Sequence, residues 1–187
     1  MIWDNSEDII RRDCAPDKYA IQRVLNDCRE LRSPYVIITP SMREIDELHQ
    51  ILVPVSRLEE ETYKGEICTY LARKTGAHIL LLTAKDYGSR AKQNTDRIIT
   101  HIQSVMDRTG VTIHYDVLTG MKDSDHINRE ACDRSSELQA DLLLLTASRE
   151  YGLDDLLFGP VERHVIQRAL IPVMLVNPRA DLYSLCD

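Results

Sequence analysis

Five short apolar runs, "QILVPVS" (50–56), "HILLLTA" (78–84), "VTIHYDVL" (111–118), "DLLLLTA" (141–147) and "PVMLVNP" (172–178), recur along the chain with helically spaced stretches between them. Three of the five are nearly continuous rather than alternating, the pattern of strands buried on both faces of a parallel sheet. In the intervening stretches Tyr63, Ile67 and Tyr70 or Leu71 share one helical face, as do Ile98, Ile102, Val105 and Met106. Ile127, Ala131 and Leu138 mark a third helix, and Val161, Val165 and Ala169 a last one. Strands that alternate with helices need crossover connections, and right-handed crossovers lay helices on both faces of the sheet. The expectation is an α/β chain with an open, doubly wound, parallel five-stranded sheet over about 49–179. Gly76 and Gly110 stand where two of its helices should end.

The first 48 residues precede this series. "AIQRVLNDCRELRSPYVIITP" (20–40) reads as an amphipathic helix, a Ser-Pro break and a short strand, the same order as "VERHVIQRALIPVMLVNP" (161–178), "IQR" triplet and flanking prolines included. Residues 1–48 therefore read as an extension resembling the end of a preceding repeat, and 49–187 as the α/β domain. An unrelated N-terminal helix and edge strand is the alternative. Under the repeat reading, residues 34–40 pair along the edge of strand 172–177 and remove a sticky template within one chain.

Composition narrows the function classes. A length of 187 residues suits one core plus an appendage. Thirty acids against 23 Lys and Arg give a net charge of −7, and one Trp and one Phe offer little surface for stacking bases, which argues against nucleic acid as a partner. The apolar runs fall well short of the roughly 20 residues that span a bilayer, and the opening "MIWDNSEDIIRRD" lacks a signal-peptide core, so a cytoplasmic protein without a membrane partner is expected. Five scattered cysteines without CxxC spacing read as reduced thiols. His126 and Glu130 lie four residues apart on the third helix, but no third or fourth ligand is signalled, so they read as a surface pair and no metal is expected. Nor is there a nucleophile elbow or Walker loop.

With the strands placed, the chain from about 49 to 178, and above all the closing "FGPVERHVIQRALIPVMLV", resembles the universal stress protein family. The resemblance implies a sheet ordered 3-2-1-4-5, dimers joined through the edge of the last strand, and in some members ATP at the carboxyl ends of strands 1 and 4. The family's Gly-x2-Gly-x9-Gly-Ser/Thr loop falls on Thr146, Arg149, Gly159 and Pro160, and only Gly159 keeps the motif residue. Gly152 lies inside the loop but off the motif. The family's adenine-contacting Asp corresponds to Ser56. Side chains at 146 and 149 fill space that glycine leaves for phosphate oxygens, and Pro160 brings no N–H where one is wanted. The loop is suited to starting a helix rather than holding an anion.

Arg57, Lys85, Lys122 and Arg149 fall in loops at the carboxyl end of the sheet, where open α/β sheets take ligands. They are candidate anion contacts, or else they pair with Asp86, Glu150, Asp154 and Asp155 in a solvated rim. "KDYGSR" (85–90) and "REYGLDD" (149–155) echo each other, so that Tyr87 and Tyr151 cap the old nucleotide cleft or share only turn chemistry. The leading expectation is a non-catalytic stress-response or regulatory module, without a cofactor, that acts through self-association, as a dimer or pseudo-dimer, or through protein partners. The alternative is an ATP-binding stress protein with a modified phosphate loop and at most slow hydrolysis.

Overall fold

A computed structural model describes residues 18–29, 31, 33–147 and 161–178. Its elements in chain order are α1 (Lys18–Asp27), β1 (Tyr35–Ile37), β2 (Gln50–Val55), a 3-10 turn (Glu59–Tyr63), α2 (Lys64–Thr75), β3 (His78–Thr83), α3 (Ser89–Asp107), β4 (Tyr115–Thr119), α4 (Ile127–Arg134), β5 (Leu142–Thr146), α5 (Val161–Arg168) and β6 (Val173–Val176). The sheet order is β1-β6-β5-β2-β3-β4. Its five parallel strands run in the expected 3-2-1-4-5 order, and β1 adds a sixth, antiparallel to β6.

The nearly continuous apolar runs are buried on both faces, as their composition requires. Leu52, Leu80, Leu82, Leu143 and Leu145 point into one core with residues of α1, α4 and α5. Ile51, Val53, Ile79, Leu81, Leu142 and Leu144 point into the other with residues of α2 and α3. This division is the period-two alternation of the pleat. Gly76 ends α2 at φ 74, donating its N–H to Ala72, a left-handed cap that glycine adopts without penalty.

Two elements are shorter than expected. β4 begins at Tyr115 rather than 111, since Tyr115 pairs with Ile79 and a further extension would run past β3 toward the end of α2, where no strand lies opposite. α4 stops at Arg134, and Leu138 packs against the core from the turn that follows.

The N-terminal unit is built into the same body. Ile21, Leu25, Tyr35 and Ile37 are buried in the core that holds Val165, Ile166, Val173 and Leu175, and α1 packs on α5. When Pro34 is matched to Pro172 and Pro40 to Pro178, Tyr35 corresponds to Val173, Val36 to Met174 and Ile37 to Leu175. The observed pairs are Tyr35 with Leu175, Val36 with Met174 and Ile37 with Val173. Each segment thus meets the other as one copy meets another across a two-fold axis, with Val36 and Met174 at the centre. Cross-bonds run both ways: Asn177 Nδ2 donates to the carbonyls of Cys28 (3.0 Å) and Leu31 (2.9 Å), and Arg43 N donates to Leu170 O (2.9 Å). The link from β1 to β2 is clamped by Asp141, which pairs with Arg43 and accepts from His49 N and Gln50 N (2.9 Å each).

Candidate functional site

Strand order reverses between β2 and β5, since β3 lies beyond β2 on one side and β6 beyond β5 on the other. In an open α/β sheet this is the crevice that takes a ligand, at the carboxyl ends of the strands. Ser56 directly follows β2, and Thr146 ends β5. Both turn to the same acceptor. Ser56 Oγ donates to Glu61 Oε1 (2.9 Å), and Thr146 Oγ1 donates to Glu61 Oε2 (3.3 Å).

Glu61 sits on the 3-10 turn and is 3% exposed; Lys64, the first residue of α2, is fully buried. The two side chains form an ion pair, and Lys64 Nζ also donates to Pro54 O in β2 (2.6 Å). Gly65 seats the start of α2: a Cβ there would lie 3.3 Å from both Ile102 Cα and Val105 Cβ of α3. The close approach of the two helices thereby holds Lys64 over the sheet. The crevice between β2 and β5 is thus bridged by a carboxylate of the chain itself, the same sign of charge as a phosphate. One turn on, burial pushes the Cys68 thiol up to about 12, with the Lys64 charge pulling weakly the other way.

A second cluster ties the neighbouring loops. Asp86, after β3, accepts from Ser124 N (2.9 Å), Ser124 Oγ (2.6 Å) and Thr95 Oγ1 (2.9 Å), and pairs with Arg57 Nη1 at 3.4 Å. Arg57 also meets Asp125 (2.9 Å), and its backbone N–H donates to Ser124 Oγ (2.7 Å). Burial pushes the Asp86 carboxyl upward, but the bonds from Ser124 and Thr95 and the Arg57 charge outweigh it and hold the group below its ordinary value.

Of the candidate anion contacts, Arg57 is engaged by Asp86 and Asp125. Lys85 and Lys122 are exposed and joined through the backbone, Lys85 N donating to Lys122 O (2.7 Å), with no ion pair to either side chain among the described residues. Tyr87 is 78% exposed. Arg149, Tyr151, Gly152, Gly159 and Pro160 lie outside the described residues.

Glu130 and His126 are not a surface pair. Glu130 is 5% exposed; it accepts from Met121 N (2.9 Å) and Lys122 N (2.8 Å) and pairs with Arg134 (3.1 Å), while His126 bonds Asp123 (2.7 Å). Gly120 makes room for that carboxylate, since a Cβ there would stand 3.0 Å from Glu130 Oε2 and 2.6 Å from Ile127 Cδ1. Among the described residues no group of three or more His, Cys, Asp or Glu converges on a metal position. No described helix is long and apolar enough to cross a membrane.

The sequence reading passed over Glu61 and Lys64. "EEETYKGE" (59–66) looks like a solvated charge run, and its one clue is an acid three residues before a lysine, just after the strand that borders the switch point.

Fold and site together define an open, doubly wound α/β domain whose switch point is bridged by Glu61. A model of the Universal stress protein family matches residues 47–177, and the chain belongs to that family. A universal stress protein solved in complex with cAMP is 16% identical with a TM-score of 0.53; the alignment covers 72% of this chain and all of that one. One from Archaeoglobus fulgidus DSM 4304 is 15% identical with a TM-score of 0.62, covering 91% of this chain, which spans 59% of that protein. Coverage that wide takes in residues ahead of position 47, so the longer fold includes a counterpart to part of the N-terminal unit. No curated protein matches the chain.

Proposed function

We propose that this chain is a regulatory member of its family that acts through self-association or protein partners and has given up the nucleotide as a working ligand. One observation carries the reading: Glu61, held by Lys64, Ser56 and Thr146, bridges the crevice in which a nucleotide would lie. A triphosphate entering there would face a carboxylate and would have to break a buried ion pair. The residues at 146, 149 and 160, which depart from the family's phosphate loop, support the same reading from the sequence side. Isothermal titration of the full chain with magnesium ATP, AMP and cAMP is expected to give no heat at micromolar ligand. Micromolar binding of any of the three would overturn the proposal.

A second reading, an ATP-binding member with at most slow hydrolysis, draws support from the relative solved with cAMP. Arg149 and Lys122 would then supply the phosphate contacts. It predicts co-purified nucleotide with excess absorbance at 260 nm, lost in Arg149→Ala.

For self-association the N-terminal unit matters most. β1 already covers the β6 edge, the edge through which the family's dimers are expected to form. The chain is on this reading a pseudo-dimer half, located in the cytoplasm, with that surface satisfied internally. Removal of residues 1–40 should produce dimers or aggregates in sedimentation, and an unchanged monomer would contradict it.

A further inference from the structure

Three large apolar side chains stand exposed at the carboxyl end of the sheet: Leu58 at 58%, Tyr87 at 78% and Met121 at 69%. They sit on three different loops, after β2, β3 and β4. Those loops are tied to one another next to the exposed residues. Arg57, beside Leu58, bonds Asp86 and Ser124; Asp86, beside Tyr87, bonds Ser124; and Lys85 N donates to Lys122 O beside Met121. The loops that carry the three tips are therefore joined in one braced frame.

Charge around the tips is one-sided. Lys85, Arg90, Lys92 and Lys122 are exposed and have no carboxylate partner among the described residues. The described acids beside the tips are engaged elsewhere: Asp86 by Arg57, Ser124 and Thr95, Asp125 by Arg57, Asp123 by His126, and Glu59 by Arg97. Among the described residues, a chain of net charge −7 thus carries cations without a carboxylate partner at the rim where a tyrosine, a methionine and a leucine are held out to solvent. Tyr, Met and Arg are enriched at protein interfaces.

We propose that this rim is a docking surface for an acidic segment of a partner protein that carries apolar side chains. The proposal deepens the protein-partner reading above and rests on it. A lipid surface is the poorer fit, because three apolar tips on separate loops bury little acyl surface.

The test is fluorescence anisotropy on the full chain with a labelled peptide of alternating glutamate and leucine, its lysine–leucine counterpart, and vesicles containing phosphatidylserine. The glutamate–leucine peptide should bind, weakly as suits a small interface. Tyr87→Ser with Met121→Ser, and separately Lys85→Glu with Lys122→Glu, should each weaken it about tenfold or more with circular dichroism unchanged. No binding by the wild type, equal binding of both peptides, unchanged affinity in both double variants, or tighter association with the vesicles would each overturn the proposal. ATP titrated into the same preparations separates the two readings: nucleotide binding with the peptide effects intact would sink the nucleotide-free function and leave the docking rim standing.

Discussion

Two ionic clusters stand side by side at the carboxyl end of the sheet, and their surroundings give them opposite characters. Glu61 and Lys64 are sealed under the start of α2, with 4% and 0% of their side chains exposed. Arg57, by contrast, leaves 36% of its side chain in water while it reaches the buried Asp86 and the exposed Asp125. In the first cluster each charge depends on the other, since no water replaces a lost partner. In the second, solvent can substitute at Arg57 and Asp125, and the buried Asp86 keeps the bonds from Ser124 and Thr95 when Arg57 is lost. The contrast teaches that an ion pair's weight is set by what would solvate its members once the pair is broken.

The largest expected effect follows from breaking the sealed pair from one side. Glu61→Ala leaves the buried Lys64 without its carboxylate and held by Pro54 O, and should destabilise the chain by about 3–5 kcal/mol in urea denaturation. Replacing both members, Glu61→Leu with Lys64→Met, removes the desolvation cost together with the attraction. That double variant should lie within about 1–2 kcal/mol of wild type, on either side. If the single and double variants lost the same stability, the crevice would be wet and the contrast between the clusters would fail.

At the rim the effects should be smaller and should depend on acidity. Asp86→Ala strips acceptors from Ser124, Thr95 and Arg57; Thr95 is buried, but Ser124 and Arg57 reach water, so about 2 kcal/mol is expected. Asp86 has a folded pKa held below its ordinary value, so its contribution is fully present above that value and is lost as pH falls through about 4 toward the folded pKa. Urea midpoints at pH 6 and pH 3 should therefore differ less in Asp86→Asn than in wild type. Arg57→Ala, which removes a half-solvated partner, should cost under about 1 kcal/mol.

How much of this was legible in the sequence depends on which interactions repeat with a period. The continuous runs at 50–55, 78–83 and 142–146 announced strands covered on both faces, because burial on both sides erases alternation. The likeness of 34–40 to 172–178 also points to β1, a short strand that pairs with β6. The edge strand β4, with two of its five residues half-buried and three exposed, carries no such signature, and the apolar run from 111 overstates its length. Glu61 and Lys64 escaped for a different reason. Their burial is decided by the approach of α2 to α3 at Gly65, a contact between segments far apart in the chain, while the local sequence reads as a charged surface turn. Glu130 is hidden from the sequence in the same way, its carboxylate being drawn inward by the backbone N–H groups of Met121 and Lys122.

Thiol reactivity sharpens the comparison without disturbing either cluster. Cys68 lies one turn beyond Lys64 on α2 and is fully buried, with its thiol raised to about 12; Cys132, against Val165 O on the other face of the sheet, is raised by burial to about 11. Since the thiolate is the nucleophile, both should resist iodoacetamide at pH 8 and become labelled in urea, as mapped by mass spectrometry. Cys68 then reports on the sealed pair through the helix they share. In Glu61→Ala, opening of the α2 start should speed its labelling by roughly a hundredfold, the factor that about 3 kcal/mol gives in an opening equilibrium, whereas Asp86→Ala should leave it near the wild-type rate. Equal acceleration of Cys132 in Glu61→Ala would mean that the whole sheet opens at once, and the two clusters would then belong to one cooperative unit and not to a dry crevice beside a wet rim.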